Sequence, residues 1–258
     1  MAGVGEAQGA IGLAALFSTC VECFGYFRAS QRMEKDCDIL LVKLDIEKTR
    51  LLVWGKTVGL LDPSIHHRSS VLSNDETIDL LQRLLRNIES LLTDTDKLVK
   101  SYGLTKQTQV GWEIDFVSCS SMVLFRRAFK RFWLRNSSVM SKPNLLSKIK
   151  WGIYKKENFQ NFINDLKDLI DGLYEIGSVP RDTLNETMTA EIESLSNLAQ
   201  LRLIEAATED SYRDWSSVAG SIIEASEMGT IDLRTVEDHL MDETPTSNAP
   251  EASPSKLS

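Results

Sequence analysis

Residues 9–27 read GAIGLAALFSTCVECFGYF, an apolar run of 19 residues that carries one charge, Glu22. A helix that is apolar nearly all round must be buried in a core or embedded in lipid. A membrane span needs about 20 such residues, so this run sits at the edge of both solutions. Ser18, Thr19 and Glu22 tilt it toward the core, because a carboxylate in hydrocarbon is costly. The expectation is a buried core helix that a change of state could hand to a membrane. Its lipid-facing set would be Leu13, Leu16, Phe17, Val21, Glu22 and Phe24. No Lys or Arg precedes Arg28, so the run lacks the positive flank of a secretory signal. Ala2 stands where myristoylation needs Gly.

The remaining patterns are helical. With 6 Pro and 14 Gly in 258 residues, long helices are permitted. Cys37, Leu40, Leu41, Leu44, Leu51 and Val58 recur at helical spacing over 30–58, with charges between them. A loop follows at 59–74, marked by Asp62-Pro63. Ser73 and Glu76 have capping-box spacing ahead of a helix with Ile78, Leu81, Leu84, Leu85, Ile88, Leu91, Leu92 and Leu98 on one face. That helix is expected to stop near Gly103. Loose alternation in QVGWEIDFVS is compatible with a short β-hairpin near 108–120. Ser141-Lys142-Pro143 predicts a helix through Trp151. Phe159, Phe162, Ile163, Leu166, Leu169, Ile170, Leu173 and Ile176 give the cleanest amphipathic pattern, over 156–177. Two further helices are read at 182–208 and 211–228. From Thr244 the chain holds three of its six prolines and no aromatics, the composition of a disordered tail. The sum is an all-α domain over residues 1–240, a single bundle of about 7–9 helices, and a tail at 241–258.

Charge is unevenly spread. The net charge is −8, with 29 Lys+Arg against 37 Asp+Glu. Residues 116–156 hold 10 basic and no acidic side chains, whereas residues 157–258 hold 6 basic and 21 acidic. Within the basic belt, Phe125, Phe129, Phe132 and Trp133 are interleaved with Arg126, Arg127, Lys130, Arg131 and Arg135. Such a helix suits an anionic membrane surface or a partner protein. It serves equally as a surface helix paired with the chain's own acidic helices. The acidic balance argues against a nucleic-acid partner.

Chemistry is sparse. The histidines are His66, His67 and His239, and no metal-binding spacing accompanies them. No phosphate-binding glycine loop, dinucleotide fingerprint or nucleophile elbow occurs. Cys20 and Cys23 share a helix face without a second Cys or His pair, so packing explains them best. Neither an enzyme, a cofactor nor a small-molecule substrate is expected. Four cysteines in a chain this long read as reduced thiols of an intracellular, cytoplasmic protein.

Several short runs carry a family resemblance. They are Leu16-Phe17, Cys20-Val21-Glu22-Cys23-Phe24, Tyr26, Asp36, Lys43-Leu44-Asp45-Ile46, Arg50-Leu51 and Trp54-Gly55, with Lys148–Tyr154 and Leu166–Tyr174 further on. In these the chain resembles the HeLo domain of fungal HET-S/HET-s-type prion-inhibition and heterokaryon-incompatibility proteins, a domain also found in a loss-of-pathogenicity type. The resemblance spans about residues 4–226. It implies an α-helical fold with a short hairpin and a homodimer, or a heterodimer with another HeLo protein. It also implies a role in programmed cell death, in which a refolding C-terminal amyloid segment expels the N-terminal helix into membranes. Here residues 9–27 would be that helix, relocating from cytoplasm to membrane. Residues 229–258 hold one glycine, Gly229, and no Asn/Gly-rich repeat. The trigger is therefore expected to be missing or to lie in another protein, and a non-toxic regulatory module that dimerises with other HeLo proteins is the alternative. Ser30-Gln31-Arg32 replaces the family's Gly-Arg ahead of Asp36.

Overall fold

The computed structural model describes residues 3–24, 27–28, 36–60, 70–108, 149–152 and 156–229. Among these are eight α-helices: α1 (Gly3–Cys23), α2 (Asp36–Thr57), α3 (Asp75–Thr93), α4 (Thr95–Lys100), α5 (Lys156–Ile176), α6 (Arg181–Glu193), α7 (Leu198–Thr208) and α8 (Arg213–Glu227). Three short strands, β1 (Phe27–Arg28), β2 (Thr105–Thr108) and β3 (Ile149–Gly152), form one sheet in the order β1-β3-β2. β3 runs parallel to β1 and antiparallel to β2, with Phe27 opposite Trp151 and Lys106 opposite Trp151 on the other side.

Helix boundaries follow local chemistry. Asn74 caps α3, its side chain accepting from the Glu76 and Thr77 amides at 2.9 and 3.4 Å. The cap thus lies one residue after the Ser73 of the expected capping box, because Ser73 is taken up by a turn of 3-10 helix at Ser70–Ser73. Asp94 interrupts what the spacing presents as one helix. It ends α3 and caps α4, accepting from Asp96 and Lys97 at 3.0 Å. Gly103 then turns the chain in the left-handed region (φ 63°), and Leu104 donates back to the Leu98 carbonyl at 3.0 Å. The predicted 182–208 helix is likewise two. Asn197 starts α7 by accepting from Ala199 and Gln200 at 2.9 and 3.2 Å.

The core centres on α2 and α5. α2 packs on α5 and α7, α3 packs on α1 and α5, and α8 packs on α6 and α7. Phe27, leaving α1 for the sheet, enters an aromatic cluster 5.1 Å from Phe162, which also meets Tyr102 edge-on at 5.2 Å and Phe159 at 5.5 Å. Such pairs add about 0.5–1.5 kcal/mol each beyond area burial.

Two expectations change here. The apolar run 9–27 is not one helix: α1 stops at Cys23 and Phe27 lies in a strand, because β3 supplies backbone partners there. Trp151, expected at the end of a helix, lies in strand β3 (Ile149–Gly152), and residues 141–148 of that expected helix lie outside the described residues. The hairpin near 108–120, the basic-aromatic residues Phe125, Arg126, Arg127, Lys130, Arg131 and Arg135, and the tail at 241–258 lie outside the described residues, apart from Thr108 in β2.

Candidate functional site: the seat of the first helix

α1 lies along α3 and touches α2 more lightly. Leu13, Phe17, Cys20 and Val21 are fully buried, and Cys23 and Phe24 nearly so. Leu16 is partly buried and Glu22 is half-buried, while Ile11 faces outward at 66% exposure. Leu13, Phe17, Val21 and Phe24 of the predicted lipid-facing set therefore line the protein core. Burying each such side chain is worth about 1.5–3 kcal/mol. The Cys20 thiol donates to the Leu85 carbonyl at 3.2 Å.

Phe17 meets α2 at Trp54-Gly55. The Phe17 and Trp54 ring centroids are 6.1 Å apart, at 49°. The Phe17 ring presses so close to Gly55 that a Cβ there would fall 2.4 Å from two ring carbons. Glycine at 55 is thus a requirement of helix approach, and the two motifs quoted for the resemblance, Leu16-Phe17 and Trp54-Gly55, meet in space.

Electrostatics of the seat favour neutral groups. Burial pushes the Glu22 carboxyl upward. Burial also raises the Cys23 thiol to about 12, helped by the charges of Glu89 and Glu22. Cys20 is raised well above an ordinary thiol by burial, then by Cys23 and Glu89. Such thiols are inert while the helix is docked.

Behind the seat, α2 turns a charged face inward. Glu47 and Arg50 are 2% and 4% exposed. Arg50 Nη1 donates to Glu47 Oε2 at 2.6 Å, and Nη2 donates to Asp171 Oδ1 of α5. The Tyr212 hydroxyl donates to Glu47 Oε1 at 2.6 Å, and Lys167 donates to Asp171 Oδ2 at 2.7 Å. The guanidinium lies 5.4 Å from both the Tyr174 and Tyr212 ring centroids. Two further bonds tie α2 to α5: Tyr174 donates to the Arg50 carbonyl at 2.8 Å, and Trp54 Nε1 to the Leu173 carbonyl at 2.9 Å. Burial alone would lower Arg50, but Glu47, Tyr212 and Asp171 outweigh it and push it up. Burial raises Asp171, yet Lys167 and Arg50 bring it below the usual carboxylate range. Glu47 is raised by burial, against the pull of Arg50 and the Tyr212 hydrogen bond.

Sequence reasoning missed Glu47, Asp171, Lys167 and Tyr212. None of them is singled out by spacing; Arg50, and Lys167 and Asp171 within Leu166–Tyr174, enter only through the family-like runs. Among the described residues no helix is long and apolar enough to cross a membrane, and no group of three His, Cys, Asp or Glu could hold a metal ion.

The family model for HeLo, described as prion-inhibition and propagation, matches residues 5–204. The chain belongs to the HeLo family. The HeLo chain is 24% identical over 217 residues to heterokaryon incompatibility protein S of Podospora anserina, covering 84% of this chain and 73% of that protein. It is 24% identical over 239 residues to heterokaryon incompatibility protein s of the same fungus, covering 90% and 80%. Among solved structures, the HET-s N-terminal domain superposes with a TM-score of 0.53 at 24% identity, covering 83% of this chain and 97% of that one. A double-mutant form of that domain gives the same TM-score at 23% identity. The all-α HeLo fold is therefore shared, and the HeLo relatives are fungal incompatibility proteins.

Proposed function

We propose that this protein acts in fungal incompatibility or programmed cell death as a conditional membrane effector whose output element is α1. The observation that carries the reading is the kind of contact that holds α1. From Leu13 to Phe24 its buried side chains are Leu13, Phe17, Val21 and Phe24 with the thiols Cys20 and Cys23, and lipid tails can replace such apolar contacts without loss. Glu22 is half-buried and its carboxyl is raised, so the one acidic residue within the apolar run is already biased toward the neutral form that lipid would demand. Docked, the protein is a cytoplasmic bundle; undocked, α1 joins an anionic membrane. The basic-aromatic stretch 125–135 is the second membrane-contact candidate. Dimerisation with a second HeLo chain is the means by which a trigger outside residues 1–229 reaches it.

Death on overexpression and leakage of anionic liposomes test this reading. Removal of residues 1–28 is expected to abolish both. Equal toxicity of that truncated chain would sink the helix mechanism. Glu22→Ala is expected to change leakage more than it changes self-association, measured by light scattering; equal loss of both, in step with lost folding, counts against a specific role.

A second reading is a non-toxic module that pairs with other HeLo proteins and never enters lipid. It is favoured by the want of any described helix long and apolar enough to cross a membrane. Pull-down of another HeLo chain without liposome leakage would select it.

A further inference from the structure

Trp54 belongs to both contacts of α2. On one side its ring borders Phe17 of α1. On the other its indole N–H donates to the Leu173 carbonyl, which also accepts the Gly177 amide at 2.8 Å. A Cβ on Gly177 would lie 2.6 Å from Trp54 Nε1 and 2.8 Å from the Leu173 oxygen. Gly177 is thus glycine for space. The indole is held in place from the α5 side, by one hydrogen bond and one missing side chain.

The turn that supplies both has an unusual backbone. Ser178 has φ 48°, in the left-handed region that residues other than glycine seldom enter. It is kept there by short-range bonds, Ser178 to the Glu175 carbonyl at 3.3 Å and Val179 to the Tyr174 carbonyl at 3.2 Å. Within the turn, Gly177 and Val179 are buried, whereas Ser178 and Pro180 are exposed. A strained surface turn therefore lies one buried indole away from the seat of α1.

We infer that the α5–α6 turn, residues 177–180, is a remote lever on α1. Displacing it moves the Leu173 carbonyl and Gly177, frees the Trp54 indole, and takes away the wall against which Phe17 rests. Coupling of this kind runs through a contiguous chain of packed groups with alternative arrangements. Its biological use rests on the functional reading above, but the coupling itself is a property of the folded chain in water.

The test uses the full chain without membranes. Two readouts are followed: thiol labelling at Cys20 and Cys23, resolved by mass spectrometry, and hydrogen exchange at the Leu201 and Ile204 amides of α7. Gly177→Ala is expected to speed labelling about tenfold, within the usual range for coupled sites, with α7 exchange little changed. Trp54→Phe keeps an aromatic six-membered ring but loses the pyrrole ring with its N–H, so it should give the same selective effect at smaller size. It decides the matter alone if Gly177→Ala does not fold. Labelling that rises only in step with α7 exchange, or stays at the parent level, overturns the inference. Adding liposomes separates it from the functional reading. Loosened α1 without leakage would sink the membrane role and leave the lever. Leakage by a parent chain whose variants show no loosening would do the reverse.

Discussion

Two faces of α2 hold the molecule together by different physics. Toward α1 the contact is apolar, set by a phenyl ring on a glycine and by buried aliphatic side chains of α1 and α3. Toward α5 and the turn between α7 and α8 it is polar, laced by Arg50, Glu47, Asp171, Tyr174, Tyr212 and the Trp54 indole. Apolar contact is non-directional and roughly proportional to area, so another apolar medium can substitute for it. A buried ion cluster cannot be pulled apart in that way, because a partner left alone keeps an uncompensated charge. The first helix is therefore the separable part of this bundle, and α2 with α5 is the part that must stay.

The largest effect is expected on the polar side. Arg50→Ala leaves Glu47 buried without its cation and should cost about 3–5 kcal/mol, the usual penalty for breaking one half of a buried pair. Denaturant unfolding would register it as a global loss, with α1 and α7 failing together. A loss under about 1 kcal/mol, the range of surface pairs, would show that the cluster is solvated in solution and that the contrast between the two faces is false.

Next comes the apolar side. Gly55→Ala drives a methyl into the Phe17 ring, and overpacking of this kind costs about 1–3 kcal/mol. Because the nearest clash is with the Phe17 ring of α1, exchange should quicken in α1 while α5 and α7 hold. Uniform loosening would mean that α1 and the rest open as one unit. Phe17→Leu in the Gly55→Ala background should recover part of the loss, since the branched side chain does not reach as far.

Acid and base separate the two faces further. A thiol whose folded pKa lies above its unfolded value keeps the fold fully stable below the unfolded pKa. That stability is lost as pH rises beyond it. With Cys23 pushed from 9.0 to about 12, and Cys20 raised too, the seat of α1 should weaken from about pH 9 upward. Tyr102, Tyr174 and Tyr212 are raised by burial from 10.0, so their response begins later. Exchange in α1 should accordingly rise before exchange in α7, and the Cys20→Ala, Cys23→Ala chain should lose that early phase. Asp171 has the opposite sign. Its lowered pKa gives stability above the unfolded value near 3.8 that is lost as pH falls. The gap between parent and Asp171→Asn should therefore narrow in acid. Raised Glu47 titrates against that trend, so a gap that widens in acid would make Glu47, not Asp171, the responsive carboxyl.

What the sequence revealed divides along the same line. α5 is legible to within a residue because Phe159 through Ile176 repeat at helical spacing and bury one clean face. The burial of α1 is legible from composition. Its end is not, because β1 depends on β3, more than 120 residues away in the chain. The polar seam was hidden for a related reason. α2 buries Asp45, Glu47, Lys48 and Arg50, and no local pattern distinguishes a buried charge from a solvated one. Only partners on α5 and ahead of α8 decide it. The signal that did point there was the recurrence of Arg50 and Trp54-Gly55 among the family-like runs, which marked the positions but not the chemistry.

The smallest effect tests whether the polar side can be disturbed without reaching α1. Asn197 falls inside the helix that the spacing predicts over 182–208; in the structure its side chain caps α7 through Ala199 and Gln200. Asn197→Ala should cost about 1 kcal/mol. α7 packs on α2 and carries the turn that brings Tyr212 to Glu47. The loss should appear as faster exchange in the first turn of α7 and a weaker Tyr212–Glu47 contact. Labelling at Cys20 and Cys23 should stay at the parent rate, because neither Trp54 nor Gly177 has moved. If labelling rises as well, the seat of α1 is coupled to every helix that touches α2. The separability of α1 would then rest on the stability of the whole bundle and not on the kind of contact that holds it.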